Sequence, residues 1–274
     1  MRKDILESSR KMRRQRTLRG FWVFGAIVFI LILAFVGLTH ISYFKIKKIS
    51  IEGNITLSSE ELASAALNLI TGKYFFVFPK NNILLASGGE IKEKILSEFP
   101  RTRFISVSKN LPGSLSIKIE ERRPTALLCR DTDCYFIDEA GYAFEKSPYF
   151  SGNIFIKFSD EREQLGSVAS KWKLHFQVVS EVQFSGLMTF IDSAAREGVI
   201  VTDVILKKEG IYNLNTQAGL PGQASWQIIL SERNDFKIAA DNLKIVLENQ
   251  VKDKRSELEY IDLRLANKVF YKFK

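Results

Sequence analysis

Residues 99–128 read FPRTRFISVSKNLPGSLSIKIEERRPTALL, and this run decides the fold. Ile105 and Val107 alternate with polar neighbours, and Leu115, Ile117 and Ile119 do the same. A period of two marks a strand with one buried face. Pro112-Gly113 lies between the two runs, where Pro presets φ and Gly turns the chain. The expectation is two strands joined by a turn, and Pro100 ends whatever precedes them.

Upstream, Ser87 with Glu90 looks like a helix start, and Ile91, Ile95 and Phe99 then lie four apart on one face. Further back, Ser58-Ser59-Glu60-Glu61 has the form of a capping box, with Ser58 as N-cap and Glu61 three residues on. Leu62, Ala65, Ala66 and Leu69 follow at helical spacing, and Gly72 closes that helix. Residues 44–52, FKIKKISIE, read as one more strand, broken by Gly53-Asn54. The order is strand, helix, helix, strand, strand.

From Phe21 to Thr39 the chain reads FWVFGAIVFILILAFVGLT, with no charged residue. Nineteen residues rising about 1.5 Å each match the roughly 30 Å apolar core of a bilayer. A buried helix would show a polar face, and this run has none. A cleaved signal peptide would have a shorter apolar core and a small-residue exit, whereas the exit here is Thr39-His40-Ile41-Ser42-Tyr43-Phe44. The expectation is a retained transmembrane helix at 21–40. Residues 1–20 carry eight basic and two acidic groups, and only Lys45, Lys47 and Lys48 lie just beyond the span. The bias toward positive charge on the inner side puts residues 1–20 in the cytoplasm and everything after the span outside it. That segment holds +6 of the net +9 charge, so the rest is nearly balanced and has no clustered nucleic-acid surface. At 46% hydrophobic and 26% charged residues, wholesale disorder is excluded.

Downstream, residues 135–144 (YFIDEAGYAF) read as a strand, a tight turn at Glu139–Gly141 and a second strand. Another strand is expected at 154–158, and others at 200–206, 210–216 and 226–230. Phe184, Leu187, Met188, Ile191 and Ala194 form one helical stripe; Phe236, Ala239, Ala240, Leu243, Val246 and Leu247 form a second. The chain ends with Tyr260-Ile261-Asp262-Leu263-Arg264 and a last strand at Lys268–Phe273.

An extracytoplasmic strand-helix-helix-strand-strand module directly after a signal anchor resembles a POTRA domain. FKIKKISIEGN, LSSEELASAAL, TGKYFFVF and the run 99–128 are similar to the POTRA domain of the bacterial cell-division family FtsQ/DivIB. The ID-x-x-G hairpin at 137–141 and the terminal IDLR run with its final strand resemble that family's β domain. The linker Thr216–Ser225 (TQAGLPGQAS) is longer than the resemblance leads one to expect, which puts strand pairing there in doubt. The resemblance implies an α+β fold: a cytoplasmic basic N-terminus (1–20), a transmembrane helix (21–40), a POTRA domain (44–122) and a mainly antiparallel β domain with helices (123–274). It implies a non-enzymatic divisome scaffold at the septum with no cofactor. Its partners would be FtsB/DivIC-like and FtsL-like proteins and other divisome components, acting on the septal peptidoglycan synthase FtsW–FtsI.

In that family the final β-domain strand is an exposed edge along which an FtsB-like segment adds. Here Val269, Tyr271 and Phe273 share one face of the strand and are assigned to the core. Lys268, Phe270, Lys272 and Lys274 share the other, where three lysines suit a guarded edge. Phe270 among them is expected to reach a partner pocket; the alternative packs it under the helix at 236–249. Arg264, on one face with Asp262 and Tyr260, is expected to meet an acidic partner residue. Tyr260, Asp262, Arg264, Lys268, Phe270 and Lys272 are the candidate binding residues.

Chemistry-bearing motifs are scarce. His40 and His175 stand apart, and two His with two Cys, widely scattered, do not make a zinc site. Asp131, Asp133 and Asp138 are close in sequence but read better as solvated turn formers than as a metal or glycosidase pair. Two other readings compete with the scaffold: a membrane-anchored cell-wall enzyme, and a POTRA-bearing secretion component. Cys129 and Cys134 bracket a four-residue loop between strands. They are either a disulfide across the ladder or two reduced core cysteines.

Overall fold

Helix α1 (Arg2–His40) opens the chain, and its Gly20–His40 stretch is long and apolar enough to cross a membrane. The computed structural model describes residues 2–74, 78–130, 133–162, 176–217 and 225–274, with side chains from Gly20 onward. Two compact units follow from the packing, Met1–Glu121 and Arg122–Lys274.

In the first unit, strand β1 (Lys48–Glu52) leads to helix α2 (Ser59–Ile70), a short hairpin of β2 (Lys73–Tyr74) and β3 (Phe78–Pro79), and helix α3 (Gly88–Glu98). Strands β4 (Thr102–Asn110) and β5 (Ser114–Glu121) complete a sheet ordered β1-β5-β4, parallel at β1–β5 and antiparallel at β4–β5. Both helices start where their caps say. Ser58 accepts from the Glu61 N–H and Ser87 from the Glu90 N–H, each such cap stabilising its helix by about 1 kcal/mol. Leu62, Ala66, Ile91 and Ile95 then bury against Ile105, Leu115, Ile117 and Ile119.

The strand expected at 44–52 is shorter than its sequence pattern. Residues 42–44 form a 3-10 turn and regular pairing begins at Lys48. The cause lies in the neighbours: Lys45 bridges to Asn82, and Ile46 donates to the Asn81 carbonyl, so this backbone is engaged elsewhere. Gly53 ends β1 at φ +87, and a Cβ there would lie 2.2 Å from the Ile119 carbonyl oxygen, so only glycine fits.

The second unit is built on one mixed sheet. Its first strands are β6 (Ala126–Arg130), β7 (Asp133–Ile137), β8 (Tyr142–Lys146), β9 (Ile156–Asp160) and β10 (Phe176–Gln177). Helix α4 (Glu181–Arg196) precedes β11 (Val201–Lys207), β12 (Ile211–Thr216) and β13 (Gln227–Ser231). Helix α5 (Phe236–Val246) precedes β14 (Leu258–Leu265) and β15 (Lys268–Phe273). Among the described residues the strand order is β10-β8-β7-β6-β9-β11-β12-β13-β14-β15. The β6–β9, β9–β11 and β13–β14 pairs are parallel, and the other six are antiparallel. The architecture is therefore an N-terminal apolar helix, a POTRA-like α+β module and a large, mostly antiparallel sheet with helices.

Both helical stripes are core. Phe184, Leu187, Ile191 and Ala194 of α4 and Ala239 and Leu243 of α5 bury in one cluster with Phe158, Val204, Leu214 and Ile228 from the strands. The helices approach closely because α4 carries Gly186 where a Cβ would lie 2.5 Å from the Phe236 ring. The long linker leaves pairing intact: β12 and β13 run in register from Ile211↔Ser231 to Asn215↔Gln227. Linker residues 218–224, like His175, Trp172 and Asp131, lie outside the described residues.

Candidate protein-interaction site

Strand β15 ends the sheet, and among the described residues nothing pairs with its far side. Such an edge offers unpaired backbone N–H and C=O groups to another strand. Its partner β14 fixes which side chains share a face. Tyr260 lies opposite Lys272, Asp262 opposite Phe270 and Leu265 opposite Lys268. Opposed residues in an antiparallel pair project to the same side. Tyr260, Asp262, Phe270 and Lys272 thus form one patch, with Arg264 beside it and Lys268 at the turn.

Phe270 is 53% exposed, so it does not pack under α5. On the opposite face Val269 and Phe273 pack partly against the core. Tyr271 departs from its core assignment: although it faces the buried Ile261, it remains 38% exposed. An edge strand covered on one flank only leaves a large ring partly in solvent. The Tyr271 and Phe273 rings meet edge to face at 5.5 Å.

Arg264 is not a free cation. Its Nε donates to Asp262 Oδ1 at 3.0 Å and its Nη2 to Oδ2 at 2.6 Å, and its backbone N–H also reaches Oδ1. Burial alone raises the Asp262 carboxyl, but these bonds and the guanidinium charge more than reverse it, and the carboxyl titrates below its ordinary value. Lys272 reaches Glu259 at 2.7 Å, and this hydrogen bond raises the lysine above its ordinary value. The candidate patch is therefore an exposed phenyl ring framed by an internal Asp–Arg pair and a Lys–Glu pair. The charges at this edge are already paired within the chain, so what it leaves open is the strand backbone and the phenyl ring rather than a free Arg264 cation.

Helix α5 and the loop before it support this edge. Asn234 donates to the Leu263 carbonyl at 2.9 Å, and Asn242 of α5 donates to Ala266 at 3.0 Å, pinning the turn between β14 and β15. Neither residue stood out in the sequence, because a lone Asn gives no signal of a carbonyl some 25 residues away.

Of the aspartates at 131, 133 and 138, the described Asp133 and Asp138 are engaged separately. Asp133 is exposed and bridges Lys146 at 2.8 Å. Asp138 is not a solvated turn former. It is fully buried, accepts from the Ala140 and Tyr142 N–H groups, and is held by Arg122. No group of three or more His, Cys, Asp or Glu suited to a metal occurs among the described residues. Cys129 and Cys134 face each other across β6–β7 and are joined by a disulfide, with Cα atoms 4.1 Å apart.

Residues 44–122 match the family model described as POTRA domain, FtsQ-type. No curated protein matches the chain. The matched segment runs from the end of the 3-10 turn through β5 to Arg122 and so covers the whole β1-β5-β4 module with its two helices. An FtsQ-type POTRA domain set directly behind an N-terminal apolar helix fits the chain to an FtsQ/DivIB-type protein.

Proposed function

We propose that this protein is a non-enzymatic scaffold of the division machinery that binds FtsB/DivIC-like and FtsL-like partners outside the cytoplasm. In that role it bears on septal peptidoglycan synthesis through FtsW–FtsI. The observation that carries the reading is the FtsQ-type POTRA domain behind an N-terminal apolar helix. The open β15 edge supports it, because strand addition needs no turnover: main-chain hydrogen bonds supply affinity and alternate side chains supply specificity. The basic residues before the helix support a cytoplasmic N-terminus with both folded units outside it.

Three measurements test this. A fluorescent fusion of the full chain should form a band at midcell; uniform membrane fluorescence in dividing cells counts against the divisome role. Protease added outside the inner membrane should degrade the body and leave a fragment of about the first 40 residues. Protection of the body until the cytoplasm is opened reverses the orientation. Cleavage of peptidoglycan by the purified chain would favour a cell-wall enzyme instead.

A further inference from the structure

Strand β3 lies against the apolar helix α1, and its Phe78 stays outside the core of its own domain. The rings of Phe78 and Phe35 are 6.1 Å apart between centroids. Phe78 is absent from the POTRA core, which is built from α2, α3 and the β1-β5-β4 sheet. The position is locked from the adjacent loop. The Asn82 side chain donates to the Thr39 carbonyl at 2.9 Å, and both residues are buried. Ile83 donates to Phe44 and Ile46 to Asn81, so the chain leaving the helix and the chain leaving the hairpin are bonded together.

This contact sets a depth. Phe35 lies five residues before the end of the Gly20–His40 stretch, or about 7.5 Å along the axis at ~1.5 Å per residue. The Phe78 ring packs against the ring at that position. That is the depth at which interfacial segments rest, about 5–10 Å into the boundary between headgroups and acyl chains. Tyr74 lies opposite Phe78 in the hairpin, so the two share a face. Lys73 and Lys80 flank them, and the Lys80 ammonium stands 4.9 Å over the Tyr74 ring. Aromatic rings with lysines beside them suit a membrane interface, where rings lie at the boundary and lysines reach anionic headgroups.

We propose that the paired strands β2 and β3 make a second membrane contact, with Tyr74 and Phe78 entering the outer-side lipid interface beside the anchor. The POTRA domain is then held against the bilayer at two points, which fixes its height over the membrane. The proposal rests on the reading of Gly20–His40 as a membrane span.

The test uses the full chain in vesicles of three parts phosphatidylethanolamine to one part phosphatidylglycerol. The photoreactive residue p-benzoylphenylalanine replaces Phe78 or Tyr74, one at a time. Phe29 within the apolar helix and the exposed Val182 of the second unit serve as references. After irradiation, mass spectrometry counts lipid adducts. Adducts at positions 78 and 74 at least tenfold above position 182, and near the level at position 29, are expected. Adducts at 29 with only the level of 182 at both 78 and 74, or crosslinks from both into the chain's own helix alone, overturn the hairpin contact and leave the anchor standing. Absence of adducts at 29 overturns the anchor itself, and the hairpin contact with it. The two hairpin positions guard against one variant that fails to fold, which loss of a cooperative thermal transition would reveal.

Discussion

Arg122 holds Asp138. The guanidinium donates to Asp138 Oδ2 while stacking 4.2 Å from the centre of the Tyr142 ring, and the carboxylate it grips is fully buried. The other carboxylate oxygen closes the β7–β8 turn by accepting from Ala140 and Tyr142. One aspartate therefore ties the entry of the second unit to its first hairpin.

Removing one partner of a buried pair strands the other, at a cost of about 3–5 kcal/mol. Arg122 retains some contact with water, so Asp138→Ala should fall near the lower end, about 3 kcal/mol. Urea unfolding of the full chain in detergent measures it. A loss below about 0.5 kcal/mol, the range of an ordinary surface change, contradicts the role assigned to this pair.

Glu121 does similar work in the first unit. Its carboxylate accepts from the N–H groups of Ile55, Thr56 and Leu57 at 2.7–3.0 Å, fixing the loop before α2. Burial alone raises this carboxyl, but the three backbone donors outweigh it and lower it from its ordinary value. The stability it contributes is therefore fully present above the unfolded value near pH 4.3 and is lost as pH falls through the lowered folded value. Glu121→Gln leaves at least one N–H without a good acceptor and should cost about 1–3 kcal/mol at pH 7. The gap between wild type and variant should narrow on going to pH 3. A gap that widens in acid contradicts the sign.

Truncating Phe270 tests the proposed partner site apart from folding. An exposed ring leaves no cavity when truncated, so Phe270→Ala should keep the melting temperature of the full chain nearly unchanged. Capture of an FtsB-like partner should weaken at least about tenfold, near 1.4 kcal/mol. Unfolding of the variant, or full capture by a chain that ends at Asn267 and still folds, would show that the edge is not the partner site.

For Cys129 and Cys134, protein taken from outside the cytoplasm and denatured without reductant should show no thiols that react with maleimide. The loop they close is short, so replacing both with Ser should cost at most about 2–3 kcal/mol. Two free thiols per chain in the labelling assay rule the bond out in the cell.

Short-range signals were legible in the sequence because their causes are short-range. The uncharged run 21–39, the caps at Ser58 and Ser87, the Pro112-Gly113 turn and the two helical stripes depend on residues within one or two turns of each other. They place the elements, and with them the POTRA module and its anchor. The C-terminal edge was legible only through resemblance, since alternation in β15 says which residues share a face and not which face is covered. Tertiary structure decided that Phe270 is exposed and that Tyr271 is half out of the core. It also placed Arg264 on Asp262, buried Asp138 under Arg122, and brought Glu121 to a loop 64 to 66 residues away. These outcomes depend on which distant strand lies alongside, such as the parallel β13–β14 pair that leaves β15 outermost. Hydrophobic period and capping carry no record of that pairing, because burial and hydrogen-bond satisfaction are set by neighbours far along the chain.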